Sequence, residues 1–178
     1  PITGGGIQLL EGGRLSGTSA IEIHHGDRLL GASNTSVGTA AGPFDFTDRV
    51  NDVPIFMRGG ILQTRGRAGN VYTERFGALT LGEGNSVLDL AEPGTNINKG
   101  EVTFDSLARI ADSRATLRFM NVDGLDGTFQ RTYILSAPSL PNNIIGGWAM
   151  FDRDFASYNA GATLISGTWS PELNMTLP

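Results

Sequence analysis

Two adjacent histidines, His24 and His25, are the residues whose type most directly suggests metal chemistry. They end the run Ala20–His24, which alternates apolar and polar residues as a half-buried β-strand does. Neighbouring residues on a strand point to opposite faces of the sheet, so two adjacent imidazoles cannot easily bind one ion. We therefore expect one exposed histidine and one at a strand end, without a metal.

Acidic residues are grouped in two places where oxygen ligands for calcium could collect. Asp45, Asp48 and Asp52 follow one another closely, but they lack the central Gly and distal Glu of a calcium-binding loop. Asp123 and Asp126 lie in a Gly-Asp segment that lacks the tandem nonapeptides of calcium-binding solenoids. Solvated loop acids are the expectation for both groups, and no metal or cofactor is predicted.

No catalytic residue is predicted. The serines lack a nucleophile-elbow context, and two adjacent histidines make a poor triad partner. A polysaccharide lyase or hydrolase is kept as an alternative to a protein that is not an enzyme. Its first candidate residues would be Asp45, Asp48, Arg49 and Arg58.

Aromatic residues offer a second kind of binding chemistry, because sugars stack on exposed rings. Trp148 and Tyr158 are the candidate glycan platform, and a glycan-binding adhesin is a further alternative function. Packing in the core is the competing interpretation for these rings. The other residues considered are Tyr72, Tyr133 and Trp169.

The composition narrows the class of protein. The 178 residues carry 18 acids and 13 bases, and this net charge of −5 argues against a nucleic-acid partner, which requires clustered Lys and Arg. The absence of cysteine excludes disulfides and thiolate metal sites. No apolar run approaches the roughly 20 residues of a transmembrane helix. Because the sequence opens with Pro1 and has no signal pattern, we expect a processed product or a piece of a longer precursor.

Glycine is unusually frequent, with 25 residues, and it bounds short β-type runs. Average usage of about 7% would give roughly 12 or 13. No three-residue period accompanies the excess, so the glycines belong to turns and bulges. Repeated short strands with glycine at their ends indicate a β-solenoid or another many-stranded β fold. The repeated phrases are Gly5–Gly12, Gly59–Gly66, Gly77–Gly84 and Gly161–Gly167.

Strands are predicted nearly everywhere. Period-2 alternation is clearest at Ala20–His24, Val53–Met57 and Ser86–Leu90. The segment Phe104–Leu117 admits a short helix, but two strands around a turn near Asp112 are favoured. Further strand-like runs are Asn70–Phe76, Phe129–Leu135, Gly147–Phe151 and Ala162–Trp169.

These patterns predict an all-β fold, most simply a parallel β-helix (a β-solenoid) with short irregular rungs, each rung being one turn of the chain. Asparagines at predicted corners favour this fold, since Asn tolerates left-handed backbone. An antiparallel β-sandwich is the alternative. One domain over residues 1–178 is expected, with degenerate rungs over 1–70 and terminal strands over 160–178.

The middle of the chain resembles the autotransporter-associated β-strand repeat family of large exported bacterial surface proteins. The similarity begins in Glu74–Leu90, close to the family phrase E-x-x-G-x-L-T-L-x-x-G-x-N-x-[VIL]. It continues through Val102–Arg109 and Ala115–Phe119, and a further stretch has Gly-Gly-Trp-Ala from Gly146 followed by Asp154–Tyr158. The family-like segment thus spans 71–159.

This resemblance implies a parallel β-helix that is displayed outside the cell, and the family has no catalytic residues to carry over. We therefore expect a non-enzymatic extracellular or cell-surface structural module that assembles with itself, and fibres are one expected form. The open ends of a solenoid offer unpaired backbone groups to another copy. The candidate assembly edges are Ile2 near the start and Met175 and Leu177 near the end.

Overall fold

A computed structural model describes residues 4–10, 13–32, 49–65, 72–90, 100–120, 130–136, 138–141, 144–151, 154–158 and 164–165. These residues are predominantly in β-strands, which confirms the expected all-β class. The strands of the described chain are β1 (Gly6–Leu10), β2 (Ile21–His24), β3 (Arg28–Ala32), β4 (Ile55–Arg58), β5 (Ile61–Arg65), β6 (Tyr72–Leu81), β7 (Asn85–Asp89), β8 (Gly100–Arg109), β9 (Thr116–Met120), β10 (Gln130–Ser136), β11 (Ala149–Phe151), β12 (Asp154–Phe155) and β13 (Leu164–Ile165).

From β1 to β11, successive strands alternate between two sheets, and β12 stays in the sheet of β11. The first sheet has the order β1-β3-β5-β7-β9-β11-β12, and the second has the order β13-β10-β8-β6-β4-β2. Every strand ladder is parallel except the short β11–β12 and β10–β13 pairs. The alternative of an antiparallel β-sandwich is therefore wrong for the described residues.

The core is built of columns of inward-facing residues. In the first sheet, Leu29 pairs with Leu62, which pairs in turn with Leu88. Phe119 continues this column, and all four side chains are buried. Each strand places alternate residues on one face, so parallel ladders in matching register bring like positions together from strand to strand. The alternation in the sequence is thereby converted into a continuous apolar interior.

Strands β6 and β8 differ from the short strands expected, because each is ten residues long and changes face midway. In β6 the buried positions are Glu74 and Phe76 and then Leu79 and Leu81, so the period-2 alternation shifts by one residue near Gly77. Gly77 is tightly enclosed: a Cβ there would lie 2.7 Å from the carbonyl oxygen of Asp52. The missing side chain lets the backbone of one strand pass against that of the preceding layer.

The segment Phe104–Leu117 contains the end of β8, a turn and the start of β9. The turn at Asp112, which has φ +60°, confirms the favoured strand–turn–strand interpretation over the short helix. Asp tolerates this left-handed conformation better than most residues. Nowhere in the described ranges does a helix have the length and apolar character needed to span a membrane.

The two ends of the sheets differ. At the start of the chain, the outermost strands β1 and β2 run parallel to their neighbours β3 and β4. At the other end, β12 and β13 run antiparallel to their neighbours, and each has two residues within the described ranges. The direction of the strands is thus reversed at one end and continuous at the other.

Substitution of Gly77 by Ala tests the close approach at the bend. We expect Gly77→Ala to lower the free energy of unfolding by about 1–3 kcal/mol, because the added methyl group meets main-chain atoms that cannot rotate away. Urea unfolding followed by circular dichroism measures the change. Gly147→Ala is the matched control, since nothing lies within 4 Å of a Cβ at that position. Equal stability of both variants would contradict the tight bend.

Candidate functional site

The end of the molecule formed by β1 and β2 contains a cavity of about 230 Å³. The two strands are the outermost members of their sheets at this end. The cavity therefore lies between the sheets, where a further layer of strands would continue the core. Its lining residues are Gly5, Gly6, Ile7, Ile21, Glu22, Ile23, His24, Asp27, Arg28 and Leu29.

Apolar core positions are uncovered at this end. Ile7 is paired with Leu29 and so belongs to the inward column of the first sheet, yet 42% of its surface is exposed. Leu29 itself is only 4% exposed, because it has Ile7 on one side and Leu62 on the other. In the second sheet, half-buried Ile21 pairs with fully buried Ile55. Among the described residues, cover is thus missing over Ile7 and in part over Ile21, whereas Leu9 and Ile23 on the same two strands are buried.

Asp27 holds the rim of the cavity together. One carboxylate oxygen accepts hydrogen bonds from the backbone N–H groups of Gly4 (2.9 Å) and Gly5 (3.1 Å), and the other accepts from that of His24 (3.2 Å). These donors, with Gly5 first, lower the pKa of Asp27, although burial opposes them. Asp27 thus links the segment just before β1 to the turn between β2 and β3.

The free edge of β1 lacks the usual protection against strand pairing. Natural edge strands carry charged residues or Pro, or are very short, because their unpaired backbone groups otherwise attract another strand. Strand β1 has the sequence Gly-Ile-Gln-Leu-Leu, with neither a charge nor a proline. Among the described residues its only ladder partner is β3. The arrangement can bind an extended, apolar segment by adding a strand.

Asp27→Asn tests whether the carboxylate is needed at the rim. A group whose folded-state pKa is lowered contributes stability above its unfolded pKa, near 4 for Asp, and loses it as the pH falls through the folded-state value. Asp27→Asn should therefore be less stable than the parent at pH 7, and the difference should shrink at pH 3. Urea unfolding at both pH values measures it.

Asp105→Asn provides the control for this experiment, because Asp105 forms an exposed ion pair with Arg75. Exposed pairs contribute about 0–1 kcal/mol, so a small change is expected at both pH values. A stability loss in Asp27→Asn that is the same at pH 7 and pH 3 would contradict the proposed role of the charge.

His24 and His25 lie at the end formed by β1 and β2, but their side chains lie in different surroundings. His24 ends β2, and its Nε2 atom lies 3.1 Å from Oε2 of Glu22, whereas His25 is exposed. One exposed histidine and one at a strand end are what the alternation predicts. Within the described part of the chain, no cluster of three metal-ligating side chains is found.

The acids weighed as calcium ligands, and expected to be solvated loop acids, are only partly described. Asp52 forms a long ion pair of 3.6 Å with Arg75, which also contacts Asp105 at 2.9 Å. Asp52 thus has a cationic neighbour, an arrangement typical of a surface ion-pair group. Asp45, Asp48, Asp123 and Asp126 lie outside the described residues.

The two arginines considered for polysaccharide cleavage lie in different environments. Arg58 is on the surface beside Glu83 at 3.3 Å. Arg49 is buried: its Nε donates to Oε2 of Glu74 at 3.2 Å, and its Nη1 donates to the carbonyl of Leu9 at 3.2 Å. Since one guanidinium is enclosed in the core and the other faces solvent, the two do not line one open groove.

The Arg49–Glu74 pair is an interior polar contact between segments 25 residues apart. The backbone N–H of Arg49 also donates to Oε1 of Glu74 at 2.6 Å. Burial raises the pKa of Glu74, and the neighbouring guanidinium opposes that rise. Ionising this carboxyl group thus costs free energy in the folded protein, and the cost is limited by Arg49.

Arg49→Met tests this balance. We expect it to lower the free energy of unfolding by about 3–5 kcal/mol near pH 8, because it leaves a buried carboxylate without its cation. A raised folded-state pKa contributes stability below the unfolded value and loses it as the pH rises, so the variant should recover part of the loss near pH 4. Urea unfolding across this pH range measures the effect.

The double variant Arg49→Met with Glu74→Leu is the control. It removes both charges and should be markedly more stable than Arg49→Met alone at pH 8, since buried pairs can often be replaced by apolar residues. If the double variant were as unstable as the single one, loss of packing around residue 49 would explain the result instead.

The predicted glycan platform is partly covered. Trp148 packs half-buried against the core, and the guanidinium of Arg109 lies 5.7 Å from its ring centroid. The hydroxyl of half-buried Tyr158 donates to the carbonyl of Pro138. A sugar needs an open ring face, and the Arg109 contact uses one face of the indole. Glycan binding by these residues stays a prediction.

The predicted assembly edges Ile2, Met175 and Leu177 lie outside the described residues, as does Trp169. The open end instead contains Ile7, Ile21 and Asp27, which sequence reasoning did not single out. Ile7 was visible as the first apolar residue of the phrase Gly5–Gly12. Its uncovered position depends on the order of strands, which no local pattern contains.

No protein-family model matches this chain, and neither the curated proteins nor the solved structures contain a match. The resemblance to the autotransporter-associated repeat therefore stays a prediction that depends on the motifs between residues 71 and 159.

Proposed function

We propose that this chain is a non-enzymatic structural module with a β-solenoid fold, and that it associates with other copies through the open end at β1 and β2. The observation that carries the proposal is the uncovered end of the core. There a column of buried residues terminates in Ile7, at an edge strand without protective charges.

The order and register of the strands support a solenoid. Ladder partners are separated along the chain by 22 residues for Gly6 and Arg28 and by 34 for Ile21 and Ile55. The chain therefore returns to the same sheet after each such interval, one strand level further along. Unequal intervals are what divergent rungs with loops of variable length would produce.

Display outside the cell is part of the same proposal. It is supported by the resemblance of residues 71–159 to repeats of exported surface proteins. A stack of parallel strands gives such a protein length and rigidity, because each layer contacts only its neighbours and the structure extends in one direction.

A charge placed on the open edge tests the association. We expect the parent protein to show a mass that rises with concentration in size-exclusion chromatography with light scattering, and Ile7→Lys to weaken this association strongly. Negative-stain imaging identifies the form of the assembly. Ala108→Lys is the control, because Ala108 is exposed on β8, away from the ends of the sheets.

Thermal unfolding of both variants separates a loss of association from a loss of folding. A parent protein that stays monomeric over a wide concentration range would refute the proposed self-association. If Ile7→Lys and Ala108→Lys weakened self-association equally, the contact between copies would not be at the β1 edge.

A further inference from the structure

The two ends of the sheets differ in how well they could pair with an added strand. Strand β1 has five residues and β2 has four, and both run parallel to their neighbours. At the opposite end, β12 and β13 are reversed, and in the described part of the chain they offer two residues each. Very short edge strands are one of the ways in which proteins prevent edge-to-edge pairing. A contact of one end with the other would thus have a long edge on one side only.

The backbone of β1 shows which groups are available. The N–H of Arg28 donates to the carbonyl of Gly5 at 3.0 Å. In a parallel ladder, alternate residues direct both backbone groups to the same neighbour, so residues 5, 7 and 9 face β3. Gly6, Gln8 and Leu10 then direct their N–H and C=O groups to the free edge.

This pattern is complementary to itself. If two copies of β1 are placed antiparallel about Gln8, each Gln8 lies opposite the other, and Gly6 lies opposite Leu10. None of these three positions has a ladder partner on this side among the described residues, so opposite residues can exchange both hydrogen bonds. Ile7 then lies opposite Leu9 of the second copy, and both positions belong to the inward face.

The paired strand itself brings no like charges together, because β1 carries no charged residue. Asp27, the nearest buried acid, already accepts three backbone hydrogen bonds within its own copy. Another protein with an apolar strand would also fit the edge. A second copy is favoured because its edge has the same length, the inward residues in matching phase and no like charges opposite each other.

We propose that two copies of this chain form a closed two-fold dimer through antiparallel pairing of β1 with β1, centred on Gln8. This inference depends on the proposed self-association and specifies its geometry. The contact buries the apolar end at β1 and β2 in both copies. The opposite ends, with the antiparallel strands β12 and β13, face outward. The assembly is therefore a discrete dimer and does not extend into a fibre.

A single introduced cysteine tests this geometry, since the chain has none of its own. In a hydrogen-bonded antiparallel pair, the Cα atoms and the Cβ atoms of the two residues are each about 5.5 Å apart, a distance that a short bifunctional thiol reagent spans. Gln8→Cys should therefore form a covalent dimer with such a reagent, with twice the monomer mass of 18.8 kDa. Gln8 is exposed, so the substitution is expected to preserve folding, which circular dichroism checks.

Ala108→Cys is the matched control, because it is also exposed on a strand but lies away from β1. It should remain without a covalent dimer when treated with the same reagent. The mass of the parent protein is measured beside both variants, and a limiting value of two chains is the expected result.

The other outcomes separate the two proposals. If the parent dimerises but Gln8→Cys does not cross-link, the two-fold β1 contact is wrong and self-association stands. If the mass grows without limit at high concentration, the closed dimer is wrong and an open assembly replaces it. If the parent is a monomer at every concentration, self-association itself fails, and the end is covered by another partner or by other residues of the chain.

Discussion

Stacking of like inward positions along parallel ladders is the interaction on which the whole structure depends. Each strand level is covered by the next, so a residue such as Leu62, which is buried, has its equivalents Leu29 and Leu88 on its two sides. Stability is consequently distributed over layers. The same rule explains why Ile7 on the outermost strand β1, which is no more polar than the other residues of its column, is 42% exposed.

The local part of this structure could be predicted from the sequence. Alternation over Ala20–His24 and Ser86–Leu90 corresponds to β2 and β7, because side-chain period follows directly from strand geometry. The turn at Asp112 was also predicted. The bend at Gly77 was missed, although the spacing from Phe76 to Leu79 to Leu81 contained its signal. A step of three inside a period of two marks a strand that changes face.

What could not be predicted involves residues that are distant in sequence. Nothing near Glu74 indicates that Arg49 is its partner, and nothing near Asp27 indicates that it accepts hydrogen bonds from Gly4 and Gly5. These contacts depend on which strand lies beside which. The candidate site has the same origin, because it is an end of the stack and is defined by the order of strands in both sheets. Motifs that suggested chemistry, such as His24 and His25, describe single positions and contain no such information.

The buried Arg49–Glu74 contact has a consequence for how the chain reaches this alignment. Apolar residues such as Leu and Val can replace one another in a core at a small cost in free energy. Columns made of them alone would therefore tolerate several strand registers. A slip of one residue in β6 would turn Glu74 to the opposite face and abandon the guanidinium of Arg49 inside the core. Forms with a shifted register therefore contain an unpaired buried charge, which the correct register does not. We therefore expect the pair to favour the correct register, because each shifted alignment would leave a charged group unpaired in the core.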